Sequence, residues 1–364
     1  MLLTLFQETT AMRIDNAIIT MLVASFAACS PPTEEAVPAF SAGENVSLFT
    51  VGSLQAASLR DAAFAPVNDN MTLAINVTKA DVDALLTAEG LATDVLQLSV
   101  QPLIVRTPDR VLLFDTGNGP SGMLSASMAT AGVEPAEVTD IFISHSHGDH
   151  VGGNENLATL GVLIFAHDNT RTKFLEESSH FPRQGGSFAP QQAAGGRPLI
   201  TYDSAIGFHL NGEEVRAFLA PPSHTDGDTF VYFPESDVLH LGDVFRTTSY
   251  PIIDKFNGGT LRGTIAALDL AISMAGPDTK VIPGHGLEIV GRVEMQEFLD
   301  MILDIRDQVY TMIREGKHLD EVMAAAPAAI YDAEWGQEAG WTAIDFVPLV
   351  YYELGGAGRL LDRQ

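Results

Sequence analysis

The chain has 364 residues, 46% of them hydrophobic, enough to bury a core in one large domain with an appendage or in two smaller ones, which argues against disorder of the bulk. Its 47 acidic side chains outnumber 20 basic ones, for a net charge of −27. A polyanion repels phosphate backbones, which excludes nucleic acid as an expected partner and fits a salty or exposed compartment.

Ala17 to Ala28 is an apolar run too short to anchor in a bilayer, preceded by Arg13 and closed by Ala27, Ala28 and Cys29. It predicts a secretory signal over 1–28, with Met12 as an alternative start. Phe26-Ala27-Ala28-Cys29 is similar to a lipoprotein signal-peptidase site, with Phe26 departing from the commoner Leu. A plain signal peptide with an incidental cysteine is the other reading. Cys29 is the only cysteine, so an internal disulfide is excluded. Residues 29–45, with three prolines and two glutamates between Ser30 and Gly43, read as a flexible tether. The expectation is an exported, periplasmic lipoprotein that meets the membrane only through a lipid on Cys29.

From Val46 onward short β-type runs alternate with helical ones. Leu48–Val51 and Leu73–Val77 read as strands, and Ala80–Glu89 as a helix stopped by Gly90. Leu98–Val105 and Arg110–Phe114 predict a hairpin turned at Thr107-Pro108-Asp109. It runs into Asp115-Thr116-Gly117-Asn118-Gly119, where the glycines permit a sharp turn at a strand end. By composition alone Asp115 caps that turn. A helix near Met123–Ala131 follows, then a buried strand at Thr139–Ile143.

That strand opens into Ser144-His145-Ser146-His147-Gly148-Asp149-His150, with three imidazoles and a carboxylate in six residues. Two residues apart on a strand end, His145 and His147 can point to one side, while Asp149 and His150 lie past the turn at Gly148. Imidazole nitrogen with carboxylate oxygen suits zinc or another borderline divalent ion.

Val162–Ala166 is a further strand, with Asp168 expected to cap a helix reaching about Glu177 and His167 expected to be structural. Gly185, Gly186, Gly195 and Gly196 break any regular element in Ser178–Pro198, which reads as a lid or insertion; His180 within it receives no role. Strands follow at Leu199–Tyr202, Phe208–Leu210, Val215–Leu219, Phe230–Phe233 and Val238–Leu241. His224 sits in a Pro- and Gly-punctuated loop between two of them, and Asp243 follows the last. Leu261, Ile265, Leu268 and Ile272 mark a helix face, and strand Lys280–Ile282 leads into Pro283-Gly284-His285. In the tail, Val293, Phe298, Ile302, Ile305, Val309 and Ile313 recur at helical spacing, with shorter helices at Glu321–Ala325 and Phe346–Tyr352. The expected division is a catalytic domain over 46–290 and a helical extension over 291–364.

Four segments therefore share one pattern of apolar strand, tight turn and metal-type ligand. In this order, around His-x-His-x-Asp-His, they resemble the metallo-β-lactamase superfamily over about Phe49 to Val290. The resemblance implies an αββα sandwich of the α/β class with the site at one edge of the sheets. It implies two Zn2+ ions, or other divalent metals in their place. His145, His147 and His224 would hold the first; Asp149, His150 and His285 the second; Asp243 would bridge them. Asp115 would support the ligands from beneath, and Asp149 and Asp243 would be the catalytic carboxylates. A water acidified between the ions would attack a carbonyl or phosphoryl centre.

Some β-lactamase classes carry Cys where this chain has Asp243, so the ligand set looks more like glyoxalase II enzymes, lactonases and broad hydrolases. The surroundings of Asp115 and Phe49–Leu59 look similar to the lactonase and organophosphate-hydrolase branch, His224–Phe245 to β-lactamase-related hydrolases. Arg246 stands three residues after Asp243, where many β-lactamases bind substrate with Lys; it is either a contact for a substrate carboxylate or a surface charge. The expected partner is a small-molecule substrate: a β-lactam, lactone or ester. A thioester of the glyoxalase II type, or a non-hydrolytic metal-binding or redox role, is the alternative.

Overall fold

The computed structural model describes residues 38–61, 67–68, 78–88, 92–95, 100–175, 192–286, 289–336 and 341–357. The expected signal peptide, Cys29, the strand at 73–77 and residues 178–191 with His180 lie outside them.

Strands β1 (Val46–Val51), β2 (Leu54–Leu59), β3 (Leu103–Arg106) and β4 (Val111–Phe114) pair antiparallel in turn. Strands β5 (Asp140–Phe142), β6 (Leu163–His167) and β7 (Ile200–Tyr202) then join in parallel, giving a seven-stranded sheet in chain order. The second sheet holds β8 (Ala205–Leu210), β9 (Glu213–Leu219), β10 (Thr229–Phe233) and β11 (Val238–His240), antiparallel, with β12 (Lys280–Ile282) parallel to β11 at the edge. Helices α1 (Lys79–Ala88), α2 (Leu124–Ala131), α3 (Gly148–Val151), α4 (Asn154–Ala158) and α5 (Asp168–Lys173) come from the first half of the chain. From the second come α6 (Leu261–Met274), α7 (Arg292–Arg314), α8 (Leu319–Ala325), α9 (Asp332–Trp335) and α10 (Ala343–Glu353).

The strands alternate between two buried faces, which is why they read as unbroken apolar runs. Leu103, Val105, Leu112 and Phe114 face the second sheet and meet Val231, Phe233 and Ile282 there. Ile104, Val111 and Leu113 point the other way, onto Leu124 and Met128 of α2. Phe114, Phe142 and Phe165 form a stacked ladder between the sheets, with ring centroids 5.0 and 5.1 Å apart. The outer face of the second sheet, with Phe230 and Leu239, packs on α6, α7, α8 and α10 in one continuous cluster. The layers are therefore helix, sheet, sheet, helix, with further helices at the C-terminal side.

Three local expectations change. The first turn of α5 is capped by His167 instead of Asp168: its Nδ1 accepts the Asn169 N–H at 3.1 Å while Nε2 donates to the Asp203 carbonyl at 2.8 Å. An imidazole can do both at once, one nitrogen for each task. Along α7 the inward face starts at Met295, fully buried, whereas Val293 is 65% exposed, because five residues before Phe298 it lies off the stripe shared by Met295, Phe298, Ile302, Ile305 and Val309. Residues Ala194–Gly196, expected to be irregular, make one 3-10 turn.

Candidate metal centre

The ligand-type residues leave strand ends on one side of the two sheets. β5 delivers Ser144 to His147, and His147 lies in extended backbone just before α3, which carries Asp149 and His150. His224 rides the β9–β10 loop, closed by Asp228, which accepts from Ser223 Oγ at 2.6 Å, the Thr225 N–H at 2.9 Å and Thr225 Oγ1 at 2.6 Å. β11 and β12 end in Asp243 and His285, and Gly284 N–H donates to the Gly242 carbonyl at 2.9 Å, tying the two turns together.

These segments bring all seven predicted residues into one cluster. His145, His147 and His224 form one group whose ligand atoms lie within 4.8 Å of one another; Asp149, His150 and His285 form another; His145, His150 and Asp243 form a third that spans the two. His285 Nε2 is 3.0 Å and His150 Nε2 3.2 Å from the carboxylate of Asp243. Asp149 is 3.8 Å from His150 and 3.7 Å from His285, and alone of the seven is only half-buried.

The far side of four of the five imidazoles is engaged, which sets the nitrogen turned inward, while His285 Nδ1 is buried without a hydrogen-bond partner. Ser144 Oγ lies 3.0 Å from His145 Nδ1, Asp254 2.8 Å from His147 Nε2, Asp115 2.7 Å from His150 Nδ1, and the Ile252 carbonyl 2.6 Å from His224 Nδ1. That leaves His145 Nε2, His150 Nε2, His285 Nε2 and Asp243 Oδ1 buried with no hydrogen-bond partner. Buried polar atoms are nearly always paired. Four unpaired ones converging on shared points fit a bound cation, and the N/O donor set fits zinc or a similar divalent ion.

Electrostatics agree with that fit. Burial, reinforced by the neighbouring imidazoles, pulls His145 well below its usual range and His224 down to about 3, so both are neutral ligands. Burial acts the same way on His150, but Asp243, Asp149 and Asp115 outweigh it and hold the ring well above the ordinary value. Burial also lowers His147, and the hydrogen bond and charge of Asp254 reverse the sign. Burial raises Asp243, yet His285, His150 and Arg246 carry it well below the carboxylate range. Ligation needs neutral imidazoles, so a cation at His147 and His150 would compete with the proton that these neighbours favour.

Asp115 takes a left-handed backbone, φ 62°, at the end of β4, and its carboxylate accepts from Ser144 N–H at 2.7 Å and Ser144 Oγ at 2.6 Å besides meeting His150. It therefore supports the cluster from beneath as well as turning the chain. Arg246 is 2% exposed, which rules out a surface charge. Its Nη1 donates to Asp243 Oδ2 at 2.8 Å and its Nε to Ser249 Oγ at 2.8 Å, so the side chain faces its own protein at the place where a substrate carboxylate was expected. Asp254 and Ser144 are functional positions that sequence reasoning missed. Ser144 stands beside the His cluster and could have been flagged by that adjacency; Asp254 lies 107 residues from its partner and carries no local signal.

The sequence model of the Metallo-beta-lactamase superfamily matches residues 97–285. Metallo-beta-lactamase type 2 of Bacillus cereus is 22% identical over 165 residues, 45% of this chain and 58% of that protein. Metallo-beta-lactamase domain-containing protein 1 of Xenopus laevis is 26% identical over 156 residues, 42% of this chain and 57% of that protein. The chain thus spans under two thirds of the length of these curated relatives. Among solved structures, AidC, a dizinc quorum-quenching lactonase in complex with a product, superposes with a TM-score of 0.51 at 19% identity, covering 66% of this chain and 90% of that one. That likeness is one of fold.

Proposed function

This chain belongs to the metallo-beta-lactamase superfamily, and on that footing we propose that it is an exported hydrolase with two divalent ions, zinc foremost, acting on small cyclic or activated acyl compounds. The observation that carries the reading is the convergence of four buried, unpaired ligand atoms on the points shared by the three His/Asp groups. His145, His147 and His224 would hold one ion and Asp149, His150 and His285 the other, with Asp243 between them. Such ions supply Lewis acidity for the acyl oxygen and acidify water.

The residues of the chain do the rest. Asp115, Ser144, Asp254 and the Ile252 carbonyl hold the imidazoles in one tautomer each. Asp149, the half-buried carboxylate of the set, would take a proton from the attacking water and return it to the leaving group, a role that its partial exposure supports. Arg246 is committed to Asp243, so the side chain expected to meet a β-lactam carboxylate has another partner. That favours uncharged lactones and esters over β-lactams, as does repulsion of anions by a chain of net charge −27.

The test combines elemental analysis with a substrate panel of nitrocefin, an acyl-homoserine lactone, a nitrophenyl ester and a thioester. About two zinc equivalents are expected, with the lactone or ester turned over fastest. Asp243→Ala should lose at least one equivalent and lower kcat/KM roughly 100-fold or more. A single ion with full activity, unchanged by that substitution, would overturn the dinuclear reading. Preference for the thioester would move the substrate to the glyoxalase II type.

A further inference from the structure

Several supports of the ligands come from one short stretch. Arg246 holds Asp243, Ser249 anchors Arg246 through its Nε, the Ile252 carbonyl takes the proton of His224 Nδ1, and Asp254 meets His147 Nε2. Asp254 is itself fixed by the N–H groups of Phe256 and Asn257 at 2.9 and 3.1 Å. Residues 246–254 thus touch Asp243, His224 and His147 from behind.

The same stretch is gripped on its other side by the C-terminal part of the chain. Ser249 forms an antiparallel bridge with Gly336. Tyr250, fully buried, donates from its hydroxyl toward the Ala328 carbonyl at 3.0 Å and Asp332 at 2.8 Å, and its ring stacks on Phe346 of α10 with centroids 5.6 Å apart. Trp341 Nε1 donates to the Pro251 carbonyl at 2.9 Å. The grip and the ligand supports are neighbours on one stretch: Ser249, Tyr250 and Pro251 meet the C-terminal part, Ile252 and Asp254 the imidazoles. All of these tail residues lie beyond the span 97–285 that matches the superfamily.

We propose that the C-terminal helices are the positioning frame of the metal centre, acting through the strap 246–254, and that Tyr250 and Trp341 are positioning residues for His147 and His224. The inference rests on the metal-centre reading above. A hydrogen-bonded support behind a metal-bound imidazole is typically worth about 10–100-fold in affinity, and a strap displaced by a fraction of an ångström weakens two supports together.

The test uses the full chain and reads zinc affinity instead of turnover. Tyr250→Phe keeps the ring stack and removes the hydroxyl; Trp341→Phe removes the Nε1 donor. The control is Tyr351→Phe, which removes another buried tail hydroxyl, bonded to the Lys317 carbonyl at 3.2 Å and away from the strap. Zinc dissociation constants come from chelator competition at 25 °C, with the ligand-field spectrum of the cobalt-loaded protein as a second readout. Tyr250→Phe and Trp341→Phe should weaken one zinc site roughly 10-fold and change the cobalt spectrum. Tyr351→Phe should lower Tm alone. In combination with Asp254→Asn, Tyr250→Phe should add less than its single effect, because both act on His147. Equal zinc affinities in Tyr250→Phe, Tyr351→Phe and wild type overturn the inference while leaving the metal centre standing. A wild-type chain that binds no divalent ion overturns both.

Discussion

Asp228 shows how a single residue can link the site to pH. Its carboxylate is buried, with two hydroxyls and one amide as its hydrogen-bond partners, in the loop that carries His224. Burial raises its pKa from 3.8 to about 6, against the pull of those hydrogen bonds. The unfolded chain then ionises first, so between pH 4 and 6 the folded state binds the extra proton and stability from this residue falls as pH rises. The accumulated penalty is about 3 kcal/mol, complete above pH 6. Asp228→Asn stays neutral throughout. In denaturant unfolding of the metal-free protein, its stability relative to wild type should improve between pH 4 and pH 7 by up to about 3 kcal/mol. Parallel pH curves for the two proteins would mean that Asp228 keeps an ordinary carboxylate pKa.

At the scale of elements, the turns that end β11 and β12 matter more than the strands. A Cβ on Gly284 would fall inside contact distance of Asp243 Oδ1 and 2.6 Å from the Gly242 carbonyl carbon. Only hydrogen fits there, so the Asp243 carboxylate is packed against backbone on one side and Arg246 on the other. Gly284→Ala should push the carboxylate aside, lose about one metal equivalent and reduce activity roughly 10–100-fold. Elemental analysis checks it; a variant with full metal content and full activity would show that the turn has room. The strap 246–254 belongs to this scale too, since it has neither helix nor strand periodicity and works through its carbonyls and side chains one at a time.

On the scale of the whole molecule, the sandwich and the ligand cluster were legible because both rest on local pattern. Runs such as Val111–Phe114 and Phe230–Phe233 are apolar on both faces, which marks strands covered on both sides. Each ligand stands in a turn directly after such a run or in the loop between two. What stayed hidden depends on pairs far apart in the chain. Asp61 accepts from the backbone N–H groups of Asn118, Met123 and Leu124, 57 to 63 residues on, and no spacing rule connects them. Asp254 and His147 are the same case, and Arg246 reads from sequence as a free cation because its partner is seen only in three dimensions. The proposed export is read from local pattern as well: the apolar run ending at Cys29 is the sequence feature behind the expected lipid anchor. Labelled palmitate should enter the wild type and be absent from Cys29→Ser, and an unprocessed cytoplasmic protein would count against export.

The order of the strands has one more consequence. The first sheet is built from residues 46–202 and the second from 205–282, so a cut near Asp203 would divide the chain into two sheets. His145, His147, Asp149 and His150 fall in one part, His224, Asp243 and His285 in the other, and each of the three groups draws from both. Neither part owns a complete coordination shell. A full shell would exist only once β12 has docked beside β11, and an ion held there would act as a clasp across the seam between two halves that otherwise adhere through their apolar faces.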